Sequence, residues 1–268
     1  MTQQILCITA GQRSGTTALR SLIASSGRFQ DLGEIFDTSI IDQPESFFGY
    51  CRARKLQFTD VMSGPDAEKL CHDYLAMLQH KAGSRNLLFD VKFNSWGEIR
   101  MPWTFMHQEP FFLTQLKWKR AKLLFIWRRD IVGQVLSDRI SDHIAKWHNL
   151  EKSDVDAPFE LDVEKIRTRA RLLCLSEKYF FHNLRTYPET LMLCYERLFD
   201  RAGLLEPQTR DKISVFLGED LAVPKSSLYH KNRLEQSRTL TNYQQLASAI
   251  SQVAAEHREH VLATQTEL

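Results

Sequence analysis

A three-layer α/β fold, with a mainly parallel central sheet flanked by helices, is predicted from three features of the sequence. Short apolar runs recur along the chain. Each is followed by a turn or a helical pattern rather than a hairpin signal, and the first runs straight into a glycine-flanked basic turn. The runs are Ile5–Ala10, Leu87–Phe93, Lys122–Trp127 and Thr190–Cys194, with a weaker fifth at Arg28–Leu32. Continuous apolar runs of this length suit strands covered on both faces.

Helical patterns fall between and after the runs, at Thr16–Ser25, Ala67–Lys81, Phe111–Lys119, Ile131–His148, Val163–Arg185, Pro207–Leu217 and Asn242–Leu262. In the fifth of these, Leu172, Leu175, Tyr179 and Leu184 among Arg and Lys predict one buried face. The polar, Asp-rich stretch Glu151–Pro158 reads as a surface loop. The chain has no internal repeat, low-complexity tract or linker, so residues 1–268 read as one domain.

Composition narrows the class. The 268 residues are 43% hydrophobic and 25% charged, which excludes disordered and collagen-like chains. A formal net charge of +2 is too small for broad electrostatic binding to nucleic acid, so an anion must be met by local basic groups. The start of the chain lacks a basic n-region, and Gly11-Gln12-Arg13 interrupts its apolar stretch too early for a signal sequence. No segment reaches the roughly 18 apolar residues that span a bilayer. Cys7, Cys51, Cys71, Cys174 and Cys194 are odd in number and contain no C-x-x-C pair. Reduced thiols and a cytoplasmic location are the expectation.

The first strand leads into Gly11-Gln12-Arg13-Ser14-Gly15-Thr16-Thr17 and then a helix. A strand, a glycine turn and a helix N-terminus together form an anion cradle of backbone N–H groups at the positive helix end. Gly11 and Gly15 permit close backbone approach, Ser14, Thr16 and Thr17 add hydroxyl donors, and Arg13 adds a charged fork. The pattern departs from G-x-x-x-x-G-K-[ST]: its glycines are one residue closer, and Thr16 stands where the lysine would be. A glycine turn can also do no more than join a strand to a helix, but basic, hydroxyl and glycine residues coincide here.

A second anion site is placed after the run Leu123–Trp127, where Arg128-Arg129-Asp130 precedes a helix containing Ser137. An arginine leaving a strand end is by itself usually solvated or salt-bridged. Together with the first turn, Arg129 and Ser137 suit a nucleotide carrying phosphates at both its 5′ and 3′ positions.

These segments resemble the sulfotransferases that use 3′-phosphoadenosine 5′-phosphosulfate (PAPS). Gln12-Arg13-Ser14-Gly15-Thr16-Thr17 is similar to their 5′-phosphosulfate loop, and Arg129 with Ser137 to their 3′-phosphate signature. Gly33-Glu34-Ile35-Phe36, Tyr195-Glu196-Arg197-Leu198 and Arg233 to Tyr243 resemble the bacterial carbohydrate subgroup, which includes trehalose 2-sulfotransferase and the nodulation-factor and lipopolysaccharide enzymes. Many family members carry Lys where Arg13 stands, so the arginine narrows the subgroup.

The resemblance implies a P-loop-type fold, PAPS as sulfuryl donor with no metal required, and a carbohydrate or glycolipid acceptor. It leaves room for a homodimer and for peripheral membrane contact. Gly11, Gln12, Arg13, Ser14, Gly15, Thr16 and Thr17 would hold the 5′ group, and Arg129 and Ser137 the 3′-phosphate. Lys231, Arg233 and Arg238 would fold over the nucleotide, although a basic surface loop is as natural a reading for Lys231 and Arg238. Arg13 would stabilise the leaving group, Lys92 would meet the sulfuryl oxygens or the acceptor, and Glu34 would be the general base, ionised at neutral pH.

Rival bases are His107, His143 and His148, while His257 and His260 sit on a polar terminal helix and read as exposed. Trp96, Trp103, Trp118, Trp127 and Trp147 could stack on sugar rings, though tryptophan is more often core. Two other readings stay open. One is a P-loop nucleotide kinase or NTPase with Asp90 serving a metal-bound water; the other is a non-catalytic nucleotide-binding protein.

Overall fold

The computed structural model describes residues 3–37, 40–56, 64–95, 109–144, 157–200, 202–221 and 236–259. The element order is β1 (Ile5–Ala10), α1 (Thr16–Ala24), β2 (Phe29–Glu34), α2 (Phe47–Ala53), α3 (Gly64–Ala82), β3 (Asn86–Lys92), α4 (Phe111–Trp118), β4 (Lys122–Trp127), α5 (Ile131–His143), α6 (Val163–Leu184), β5 (Thr190–Cys194), a 3-10 turn (Tyr195–Arg197), α7 (Pro207–Leu217), α8 (Gln236–Thr239) and α9 (Tyr243–His257). All five anticipated strands form. They pair in the order β2-β3-β1-β4-β5, and every pairing is parallel.

Alternation along the buried strands divides the core between the two faces of the sheet. Cys7, Leu87, Phe89, Val91, Leu123 and Phe125 pack against residues of α3 to α6 and α9, including Tyr74, Phe112, Leu136 and Phe180. Leu6, Ile8, Leu88, Leu124 and Ile126 pack against Leu19, Leu22 and Ile23 of α1 and Ile213 and Leu217 of α7. The connection leaving β1 therefore covers one face, while those leaving β3 and β4 cover the other. The chain reverses direction at β1, and the carboxyl ends of these strands flank the crevice where α/β sheets bind ligands.

Local sequence sets the helix ends. Asp162 caps α6 by accepting from Glu164 and Lys165 N–H groups, Glu206 caps α7 ahead of Pro207, and Gly218 ends α7 at φ 72°. The aromatic run of α2 was not anticipated; Ser46 caps it by accepting from Gly49 N–H. α5 is described as far as His143 and α9 as far as His257. The remaining residues expected in those helices, and most of the Glu151–Pro158 loop, lie outside the described residues.

The inward face of α6 differs from the expectation. Leu184 is buried and Tyr179 partly buried as expected, but Leu172 and Leu175 are exposed, and the helix also buries Ile166, Ala170, Leu173, Cys174, Glu177 and Phe180. The helix serves both the sheet and α9, so its contact stripe follows Ala170–Leu173–Cys174–Glu177, one residue round from the leucines that dominate the pattern. Leu173→Ala should lower unfolding free energy by about 2–5 kcal/mol. Leu172→Ala should stay within about 0.5 kcal/mol of the native chain. Urea titration of both variants checks this, and the reverse order would place the buried face where the sequence pattern puts it.

Candidate functional site

Between β1 and α1 the chain turns through Gly11 to Gly15, with Arg13 at φ 61° and Gly15 at φ 71°, both left-handed. A Cβ at Gly11 would lie 2.6 Å from Leu173 Cδ1 and 2.8 Å from Gln134 Nε2, so a larger residue would have to displace the ends of both side chains. Gly15 offers no capping side chain, and no acidic residue occupies the first turn of α1. The positive end of α1 is thus offset by no acidic residue of its own first turn.

Three elements brace the turn. From α5, Gln134 Nε2 donates to Gln12 O at 2.8 Å and to Ser14 Oγ at 3.0 Å, while Ser137 Oγ accepts from Arg13 Nε at 3.0 Å. Gln134 and Ser137 are three residues apart and share one helix face. From the end of β4, Arg128 Nη1 donates to Arg13 O at 2.9 Å, and its guanidinium lies 4.5 Å from the Tyr195 ring centroid. After β5, Glu196 accepts from the N–H groups of Arg129 and Asp130 at 2.9 and 3.0 Å. The structure therefore bonds Ser137 to Arg13. The Arg129 side chain is exposed and makes no hydrogen bond or ion pair with another described residue. Ser14 and Thr16 are buried, and Thr17 is exposed.

A charge cluster adjoins the turn. β3 pairs with β1 so that Ala10 faces Lys92 and Ile8 faces Asp90, which puts both charged residues on the α1 side of the sheet. Lys92 is 4% exposed and donates to Thr16 Oγ1 and to the Asp90 carboxylate. A cation thus reaches the start of α1 from the neighbouring strand, although the loop lacks its lysine. Asp90, 1% exposed, also lies 3.1 Å from Arg20 Nε, and Arg20 Nη1 donates to Asp31 at 2.7 Å. In β2 the register shifts between Asp31 and Glu34, helped by Gly33 at φ 77°, and this bulge sets Glu34 opposite Asp90. Glu34 Oε2 lies 3.7 Å from Lys92 Nζ.

Burial works against a charge on Asp90, but Lys92 and Arg20 outweigh it and hold the carboxyl below the usual carboxylate range. Glu34 goes the other way. Burial raises it, Lys92 pulls it back, and Asp90 and Asp37 push it up again, leaving it at about 7. The sequence reading expected an ordinary, ionised carboxylate. In the fold, Glu34 is poised to take up or release a proton near neutrality.

Gln134 and Arg20 were not singled out from the sequence, and Arg128 and Glu196 stood there only inside the segments Arg128-Arg129-Asp130 and Tyr195-Glu196-Arg197-Leu198, with no role of their own. Two left a signal: Gln134 lies one turn before Ser137, and Arg20 one turn after Thr16. Arg238 is in α8 and exposed, whereas Lys231 and Arg233 lie outside the described residues, as do His107, His148, His260, Trp96, Trp103 and Trp147. His143 stacks on Phe159 at 3.8 Å between ring centroids. His257 is half-buried rather than exposed, because α9 buries Leu246, Ala249, Ile250 and Val253. Trp127 is in the core and Trp118 is exposed.

The proton affinity of Glu34 has a measurable consequence. Its folded value near 7 exceeds the ordinary 4.5, so between these pH values the native state binds more protons than the unfolded one. The contribution of this carboxyl to stability is fully present below the lower value and is lost as pH rises towards the upper one. Glu34→Gln cannot lose that proton. The stability of Glu34→Gln relative to the native chain should therefore rise through this window and level off above it. Urea unfolding of both proteins from about pH 4.5 to 8 measures the difference. A difference that does not change with pH means that Glu34 titrates as a free carboxylate.

No protein-family model matches the chain, and no curated protein matches it. Solved structures do. A sulfotransferase from Alicyclobacillus acidocaldarius is 14% identical with a TM-score of 0.46, over 96% of this chain and 97% of that one. The sulfotransferase domain of the Synechococcus PCC 7002 olefin synthase is 16% identical with a TM-score of 0.43, over 96% and 89%. Retinol dehydratase, in complex with androsterone and the inactive cofactor PAP, is 13% identical with a TM-score of 0.37, over 93% and 65%.

Proposed function

We propose that this chain is a sulfotransferase that carries the sulfuryl group of PAPS to a hydroxyl of a carbohydrate or glycolipid. One observation carries the reading: a carboxyl tuned to about 7, Glu34, stands beside an anion-binding turn whose lysine has been replaced by Lys92 from the next strand. Proton acceptance beside an anion cradle is what transfer from a phosphosulfate to an alcohol needs.

In this reading the acceptor oxygen attacks sulfur in line. The bond from sulfur to the bridging oxygen of the 5′-phosphate breaks, and the hydroxyl proton passes to Glu34. Transfer of this kind passes through a loose transition state, so positioning and charge stabilisation dominate. Arg13 and the N–H groups of the turn offset charge growing on the leaving phosphate. Lys92, fixed by Asp90 and Thr16, holds positive charge at the start of α1 and limits how far Glu34 is raised. Arg129, exposed at the end of β4, is the cation available to a 3′-phosphate, and Arg238 is placed with it by the resemblance alone, as are Lys231 and Arg233. The carbohydrate acceptor, a cytoplasmic site of action and a homodimer belong to the same proposal. None of the described helices is long and apolar enough to cross a membrane.

The kinase alternative asks Asp90 to serve a metal-bound water. Asp90 is instead held between Lys92 and Arg20, and both cations compete for the charge that a metal would need.

The direct test pairs binding with turnover. The product nucleotide, 3′-phosphoadenosine 5′-phosphate, should raise the melting temperature in the presence of a chelator, whereas ATP with magnesium should not. Glu34→Gln should keep that stabilisation and lose about 10²–10⁴-fold in transfer from labelled PAPS to cell-envelope glycans and glycolipids. Stabilisation by ATP–magnesium alone would overturn the sulfotransferase reading, and unchanged turnover in the variant would remove Glu34 as the base.

Arg129→Ala tests the second anion site. Loss of a charge-assisted contact worth about 1.5–3 kcal/mol should weaken the 3′-phosphorylated nucleotide by roughly 10- to 100-fold. Adenosine 5′-phosphosulfate, which has no 3′-phosphate, should be nearly unaffected, and Arg13→Ala should weaken both. Calorimetric titration separates these outcomes, and equal losses for the two ligands in Arg129→Ala would put that arginine at the wrong end of the nucleotide.

A further inference from the structure

The two peptide groups that flank Arg129 are held at both ends. Glu196 accepts from the N–H groups of Arg129 and Asp130 at 2.9 and 3.0 Å. On the opposite side, Arg258 donates from Nη2 to Arg128 O, and from Nη1 to Arg129 O at 3.1 Å. Arg258 stands at the C-cap of α9 and is 6% exposed. Its Nε and Nη2 also donate to the two carboxylate oxygens of Glu177 at 2.8 and 3.0 Å, and Glu177 is buried on α6.

A peptide plane fixed at its oxygen and its nitrogen cannot rotate. With both planes around one Cα fixed, φ and ψ of that residue are set, and so is the direction of its Cα–Cβ bond. The Arg129 side chain has no hydrogen bond or ion pair of its own among the described residues, so the backbone alone sets the direction in which it leaves the chain, and its guanidinium sweeps a cone about that direction. Five N–H donors in a rigid fork let a single arginine hold two carbonyls and a carboxylate at once, which an ammonium group cannot reproduce.

We propose that Arg258 is a positioning residue for the second anion site: bolted to Glu177, it locks the Arg128 and Arg129 carbonyls and so directs Arg129 at the 3′-phosphate. This assignment rests on the functional reading above. It makes α9, which has no side-chain hydrogen bond to the turn among the described residues, a determinant of nucleotide selectivity.

A merely structural ion pair would affect stability without changing the choice between ligands, so the preference ratio is the informative readout. Arg258→Lys keeps the charge opposite Glu177 but loses the fork. In protein whose circular dichroism shows that it is folded, this variant should bind 3′-phosphoadenosine 5′-phosphate about 5- to 30-fold more weakly while adenosine 5′-phosphate changes less than about twofold, within the range of one charge-assisted hydrogen bond. In an Arg129→Ala background the same substitution should leave the ratio unchanged, because the residue it aims is gone. Equal losses for the two ligands, or the same loss without Arg129, would overturn the proposal. Amide hydrogen exchange at Arg129 and Asp130 gives an answer without any nucleotide. Both amides keep Glu196 as acceptor, so exchange reports only the loosening of their peptide planes; it should speed up by about 2- to 10-fold in Arg258→Lys, and unchanged exchange would overturn the positioning role. If the native chain fails to bind the 3′-phosphorylated nucleotide while exchange responds as expected, the sulfotransferase reading falls and the locking of Arg129 stands.

Discussion

A lysine and an aspartate two residues apart on one face of β3 set the terms for the rest of the site. Neither Lys92 nor Asp90 could be buried alone, since an unpaired charge in the interior costs several kcal/mol. Together they fill the space between the end of β1 and the first turns of α1, where Thr16 accepts from the lysine. Arg20, one turn further along α1, adds the second cation and hands part of its charge to Asp31. The strand order follows from the same constraint: β3 must lie beside β1 for Lys92 to reach the turn, and β2 must lie beside β3 for Glu34 to reach Lys92.

The other half of the site is built from hydrogen bonds rather than buried charge. Three turn residues are held from α5 and the end of β4: the Gln12 carbonyl and Ser14 hydroxyl by Gln134, the Arg13 carbonyl by Arg128, and the Arg13 guanidinium by Ser137. Such bonds contribute about 1 kcal/mol each, which is comparable with the cost of holding a non-glycine residue in the left-handed region. Arg13 can therefore sit at φ 61°, with its side chain and backbone organised before a ligand arrives.

Strands were legible in the sequence because burial on both faces removes polar residues from them, and the glycine turn was legible because its chemistry is local. The braces were not. Arg13 and Ser137 are 124 positions apart, and Arg258 and Arg128 are 130 apart; only the sheet order brings them together. The short helix Phe47–Ala53 escaped notice because a run of aromatics shows no 3.6-residue period over so few residues. On α6 the periodic signal was real but pointed to the wrong face. Leucines dominate any apolar count, whereas the contact stripe includes Ala170, Cys174 and Glu177, and the last of these is inward because Arg258 meets it there. Glu34 could be picked out as a candidate base, but its proton affinity depends on burial and on four charged neighbours, Lys92, Asp90, Asp37 and Arg20, brought in by β3, the end of β2 and α1.

Charge counting then shows how the proposed base would be compatible with the proposed anion site. The cluster holds the carboxyls of Asp31, Asp90 and Glu34 against the cations Arg20 and Lys92. With Glu34 protonated it is neutral; with Glu34 ionised it carries one net negative charge close to the turn that would receive the phosphosulfate. A carboxylate with an ordinary proton affinity would be permanently ionised there and would oppose the donor. A carboxyl raised much further would stay protonated and could accept nothing. Under the proposed function, a value of about 7 would let the site receive an anion with Glu34 about half protonated near neutrality, yet leave it ionised often enough to accept a proton, and the attraction between an ionised Glu34 and Lys92 restrains the rise. The burial that raises Glu34 and the lysine that restrains it come from one piece of packing, the closure of β2 onto β3. Under the proposed function, the bulge at Gly33 would serve the chemistry as well as the fold.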